Sequence, residues 1–155
     1  MMDRIKSLFL ALRRETRGAT LVEFAIALPL LIASILGVAE VGHKIHSRAE
    51  LDAAAQFGLR YAQINKFDVS EISTKVINAS SLQDIQASPI PRTFCGCAKT
   101  DGSITQISCG QVCSSGDDPA TYTEVSARLD YEPIFSLPGI SEGTQMTAVA
   151  QARTE

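Results

Sequence analysis

Three sets of residues in this 155-residue chain have types and spacings that could do chemistry. The first is Gly18-Ala19 followed by Glu23-Phe24, a lone carboxylate near the start of an apolar run. The second is four cysteines, Cys95, Cys97, Cys109 and Cys113. Clustered thiols of this kind either staple a loop through disulfides in an oxidising compartment or ligate zinc in a reducing one. The third is Glu40, His43 and His46, at i, i+3 and i+6. Residues six apart lie about 240° apart around a helix, so Glu40 and His46 do not converge on one ion with His43, and no metal site is read there. No nucleophile, base and orienting group occur at a recognisable spacing, so no catalytic residue, no enzymatic activity and no cofactor is assigned.

The elements that position these groups begin with residues 21–39, which carry a single charge, Glu23, and one other polar side chain, Ser34. Nineteen helical residues rise roughly 28 Å, about one hydrocarbon thickness, so a transmembrane helix is expected. Before it, Arg4, Lys6, Arg13, Arg14 and Arg17 outweigh Asp3 and Glu15, a balance of +3, which leaves −6 for residues 19–155 of a chain whose net charge is −3. The acidic far part is a poor binder of phosphate backbones, and nucleic acid is excluded as a partner. The basic leader belongs on the cytoplasmic side of an inner membrane, and everything beyond the span is exported to a periplasm. That topology favours disulfides over zinc.

No small-residue cleavage site follows the apolar run, so the leader does not read as an ordinary secretory signal. Two readings stay open: an uncleaved single-pass anchor whose periplasmic domain binds some envelope component, or a leader cut before the apolar segment. A carboxylate inside an apolar span costs roughly 2.5 to 3.5 kcal/mol, and an intramembrane charge is by default functional. A cut after Gly18 makes Ala19 the new N-terminus and Glu23 the fifth residue. The carboxylate can then neutralise the α-amino group of a neighbouring subunit and fix axial register.

The arrangement resembles the class III leader of type IV pilins and pseudopilins, in which a prepilin peptidase cuts after Gly and the fifth mature residue is Glu. More narrowly, Arg17, Gly18, Val22, Glu23, Phe24, Pro29, Gly58, Arg60, Tyr61 and Ala62 resemble the TadE-like minor pseudopilins of tight-adherence (Tad/Flp) pilus systems, over about the first 65 residues. The resemblance implies processing at Gly18, Ala19, Glu23 and Phe24, and docking to other pilins through Glu23 and Pro29. It also implies, as partners, the inner membrane, a prepilin peptidase, other Tad/Flp pilins and minor pseudopilins, and the pilus assembly platform. Phe24 stands where the major Flp-type prepilins carry Tyr. Pro29 removes one helical hydrogen bond, and it either bends the span or lets it melt locally during extraction.

Helical periodicity continues past the membrane. Val38, Val41, Ile45, Ala49, Ala53, Phe57, Tyr61 and Ile64 form an apolar stripe, expected to face either the chain's own sheet or a neighbouring pilin helix. The crowd of small residues, Ala53, Ala54, Ala55, Gly58 and Ala62, points to a close approach by either. A short helix is expected from Asp68 or Ser70 to about Asn78. Period-two strands are expected at residues 93–98, 104–109, 122–132 and 145–153, the first two joined by a hairpin at Asp101-Gly102. Residues 132–140, which include Pro133, Phe135, Leu137, Pro138 and Gly139, form an apolar loop that either folds onto the core or marks a contact.

The expected organisation is a leader at 1–18, a transmembrane helix at 19–42, its periplasmic continuation at 43–65 and a periplasmic α+β domain at 66–155 with a stapled hairpin. The fold is thus a long N-terminal helix packed on a small antiparallel sheet. Turning the hairpin at Asp101-Gly102 brings Cys97 toward Gln106 and Cys95 toward Ser108, which favours nested disulfides, Cys97 to Cys109 and Cys95 to Cys113.

Overall fold

The computed structural model describes residues 17–135 and 143–154, with side chains described from residue 21 onward. Most of the leader and the later part of the apolar loop, from Ser136 to Ile140, lie outside the described residues. The chain divides into two compact units, Met1–Gly42 and His43–Glu155.

One helix, α1, runs 48 residues from Arg17 to Ile64 and crosses the division. It passes Pro29 without a break. In the first unit the apolar side chains are exposed: Leu30 is 72% accessible, and Leu21, Ile26 and Ile35 are comparable. Ser34 satisfies its hydroxyl locally by donating to the Leu30 carbonyl at 2.8 Å.

In the second unit, α1 lays Ser47, Leu51, Ala54, Ala55, Leu59 and Ala62 against a sheet. Gly58 lies in the same face, where an added Cβ would collide with Val76 and come within 3.0 Å of Val125. Small residues thus let helix and sheet approach, as their crowding suggested. The stripe expected to make this contact is a different one. Ile45 and Phe57 are 64% and 51% exposed, and Ala49 and Ala53 are exposed with them. The reason is geometric: an unbroken i+4 series advances about 40° around the helix at each step, so Val41 to Tyr61 winds round the cylinder instead of holding one face. Only Tyr61, at its far end, reaches the core margin.

The second helix, α2, spans Val69–Asn78. Asp68 is its N-cap, its carboxylate accepting from the Glu71 amide at 2.9 Å, and Ile72 and Val76 are buried. Four strands follow: β1 at Arg92–Ala98, β2 at Ile104–Ile107, β3 at Ala120–Tyr131 and β4 at Thr144–Arg153. They form one antiparallel sheet in the order β2-β1-β3-β4. Val125, Ala127, Leu129 and Tyr131 of β3, with Met146, Ala148 and Ala150 of β4, bury the face toward α1, as their alternation predicts. β1 accompanies β3 only from Ala120 to Glu124. Further along, Gln86 takes its place, exchanging two 2.8 Å backbone hydrogen bonds with Arg128. The fold is the expected α+β arrangement, a long apolar N-terminal helix on a four-stranded antiparallel sheet.

The disulfides are present but crossed: Cys95 bonds Cys109 and Cys97 bonds Cys113. This corrects the nested pairing. Cys95 stands opposite Ile107, and β2 ends there instead of continuing to Cys109. Beyond it the Gln111 amide bonds the Ser108 carbonyl, with Gly110 at φ +92°, a conformation that favours glycine. The chain therefore doubles back, leaving Cys109 beside Cys95 and returning Cys113 to Cys97.

Candidate functional site: the apolar helix and the stapled domain

Gly18 and Ala19 lie in the first turn of α1, and Glu23 and Phe24 follow one turn later with exposed side chains. A helix satisfies its own backbone hydrogen bonds, which is what allows an apolar segment to lie in lipid. Residues from Leu21 onward meet the length and hydropathy of a span, with a mean hydropathy of 2.4. Glu23 is the single charge of its first nineteen residues, and Pro29 lies on the same segment. The structure places all four residues expected at a processing site on one continuous helix.

Glu40, His43 and His46 do not gather. Glu40 is buried, while His46 is exposed and turns toward Glu50, its Nε2 lying 3.0 Å from the carboxylate. His43 packs at 5.7 Å from the Tyr131 ring. Among the described residues no group of three or more His, Cys, Asp or Glu could hold a metal ion. The four cysteines are consumed by the two disulfides, which leaves no free thiol for zinc.

A second polar centre ties α1 to the loop after α2, and it was not legible in the sequence. The Glu50 carboxylate accepts from Ser80 Oγ at 2.9 Å and from Ser81 Oγ at 3.0 and 3.1 Å. These hydroxyls, and then His46, hold the carboxyl below its ordinary range. Glu50 and its serines lie 30 residues apart in the chain, so no local pattern announces them. Eleven residues further along the helix, Tyr61 donates its hydroxyl to Glu71 at 2.7 Å, and this bond raises the phenol above its usual value. α1 is thus tied to α2 and to its following loop at two polar contacts, Tyr61 and Glu50, as well as by the core.

On the sheet face away from α1, Arg92 Nε donates to Glu124 at 2.8 Å, and Gln151 donates to the same carboxylate. Arg92 is chiefly responsible for holding Glu124 below the ordinary carboxylate range. Phe94 stacks on Tyr122 beside this pair, with 5.8 Å between ring centroids. These groups rivet β1, β3 and β4 together. None is arranged as nucleophile, base and orienting group.

A long apolar N-terminal helix with an antiparallel sheet packed on its far half defines the pilin-like class of α+β proteins. Residues 18–60 match the family described as TadE-like protein, so over this segment the chain is TadE-like. The matched span covers Gly18, Ala19, Glu23, Phe24 and Pro29, as well as Gly58 at the sheet contact. TadE-like pilins are generally non-enzymatic. No curated protein and no solved structure matches the chain.

Proposed function

We propose that the protein is a minor pseudopilin acting in the biogenesis of a tight-adherence, Flp-type pilus. The observation that carries this reading is the coincidence of the TadE-like segment with an exposed apolar helix holding one carboxylate near its start. A prepilin peptidase cuts after Gly18. The apolar half of α1 holds the protein in the inner membrane as a single pass, the leader on the cytoplasmic side and the disulfide-bonded domain in the periplasm. The two disulfides support that topology, since such bonds persist in oxidising compartments.

After the cut, Ala19 bears a free amine and Glu23 is the fifth residue of the mature chain. A carboxylate in the bilayer is costly alone and favourable only against a partner, so pairing Glu23 with the amine of a neighbouring pilin sets both affinity and register. Pro29 leaves one carbonyl of the span without its helical donor, a weak point at which the helix can yield as a subunit leaves the bilayer. The other Tad/Flp pilins and the assembly platform are the partners this surface serves.

Two measurements test the reading. Mapping the N-terminus of protein from cells with active prepilin peptidase should find a species beginning at Ala19. Uniform retention of Met1 would instead fit an uncleaved single-pass protein with a periplasmic binding domain. Glu23→Ala should be processed normally yet fail to support piliation, and full piliation by that variant would refute the docking role.

A further inference from the structure

β4 is an edge strand of the sheet. β4 pairs with β3 through ten consecutive residues, Thr144 to Arg153, without a bulge or proline. Arg153 at its end is the one charge it carries. It is the last strand of the sheet, and among the described residues no backbone group pairs with the other side of residues 144–152. Stable monomers blunt such edges with charges, prolines, bulges or covering loops, because an open edge templates another strand. Val149 stands on the otherwise polar outer face of this strand with 55% of its surface accessible. On the other face, an open groove of ≈ 610 Å³ runs beside the start of β4, with Ile45, Ala49 and Met146 among its lining residues.

We infer that this edge receives β2 of a second copy of the chain, extending the sheet head to tail. The inference rests on the reading of α1's apolar half as a membrane anchor, which sets all copies in one orientation. Because the four strands alternate in direction, a copy displaced in the plane of the sheet without rotation presents its β2 antiparallel to β4. No anchor has to turn over, whatever the arrangement of anchor and domain. β2 is the opposite edge of the sheet and carries no charge.

One register matches all four residues of β2. Ile104 of the copy falls beside Val149, Thr105 beside Ala148, Gln106 beside Thr147 and Ile107 beside Met146. Faces agree as well. Thr105 and Ile107 lie on the side of Cys95 and Cys97, which their register carries to the α1 face, while Ile104 and Gln106 lie on the outer side with Val149 and Thr147. Apolar thus meets apolar at both ends, Val149 gains a partner, and Ile107 is delivered to the groove beside Met146. Asp101 in the turn before β2 comes to the end of β4 that carries Arg153, with Lys99 one strand further in. A four-residue pairing is weak in solution, but anchoring in one bilayer raises the effective concentration of correctly oriented copies. Because the interface uses two different edges, it does not close on itself, and it generates an open row.

The test uses the full chain in the membranes that produce it. A photo-crosslinking amino acid, p-benzoylphenylalanine, is placed at Gln106, which is exposed and outside the core. The expected products are a ladder of covalent multimers whose adducts map to residues 147–149 of the same protein. Val149→Lys, at an exposed position, should reduce the ladder about tenfold, since a cation facing Ile104 loses the apolar pair and must be desolvated. Thiol alkylation without reductant reports in the same sample whether the exported, disulfide-bonded domain has formed. If the thiols are protected and no multimer forms, or the adducts map to another protein or to β2 itself, the sheet-edge inference is overturned and the anchor reading stands. Alkylated thiols and a domain open to cytoplasmic protease overturn both.

Discussion

The two halves of α1 are one continuous helix, yet the first exposes its large apolar residues while the second buries mainly small ones. In the half before Gly42, leucine and isoleucine are exposed on every side and small residues are dispersed among them. In the half after His43, the large apolar side chains Ile45 and Phe57 face outward, and the buried face sets the small residues Ser47, Ala54, Ala55, Gly58 and Ala62 around Leu51 and Leu59. Apolar surface is the signal for a bilayer, which makes no demand on shape. Contact with a sheet is shape-limited, and there a helix gains more by coming close than by carrying bulk. Hydrophobicity alone therefore locates the first half and misleads about the second.

Substitutions on the two faces of the second half should separate by the largest margin. Leu51 is fully buried, so Leu51→Ala should cost about 3 kcal/mol through lost transfer energy and the cavity left behind. Ile45→Ala, on the outward stripe, should cost the isolated protein less than about 0.5 kcal/mol. Denaturant melts of the two variants in detergent measure the contrast, and comparable losses would show that the outward stripe is also covered.

An effect of similar size is expected from the staples, which act at the end of the sheet away from β4. The bridges Cys95–Cys109 and Cys97–Cys113 close segments with sequence separations of 14 and 16. Replacing one pair by serine should cost about 2 to 4 kcal/mol, mainly by releasing the unfolded chain. Non-reducing peptide mapping should recover the crossed pairing, and nested peptides would overturn the register of β2 described above.

Least in size is the pH response of the lock on Glu50. Its carboxyl is held below the ordinary value by Ser80, Ser81 and His46, so the folded state binds this proton less readily than the unfolded chain. The stabilisation is complete above the unfolded carboxylate value near 4.5 and is lost as pH falls through the lower folded value. Thermal melts between about pH 6 and about pH 3 should show a steeper fall for the natural chain than for Glu50→Gln. Parallel curves would indicate that the carboxylate carries no net stabilisation.

Much of the architecture is legible without coordinates. The apolar run of residues 21–39, the cap at Asp68, the alternation along β3 and the hairpin at Asp101-Gly102 are local signals, each readable within a few residues of itself. The TadE-like segment is legible for the same reason, because Gly18, Glu23, Phe24 and Pro29 carry their spacing in one stretch of helix. β2 reads longer than it is because Ser108 and Cys109 continue an alternation that the turn at Gly110 cuts short.

By itself, then, the sequence determined that a long apolar helix precedes an α+β domain, that a carboxylate lies near the start of that helix, and that four thiols cluster on a hairpin. Tertiary structure alone decided which face of α1 meets the sheet, which cysteine joins which, that Glu50 takes its partners from Ser80 and Ser81, and that β4 stands at the edge of the sheet. The physical reason is range. Period, capping and turn chemistry act over a few residues, whereas facing, cross-linking and strand order depend on what the chain brings back from 14 to 31 positions away.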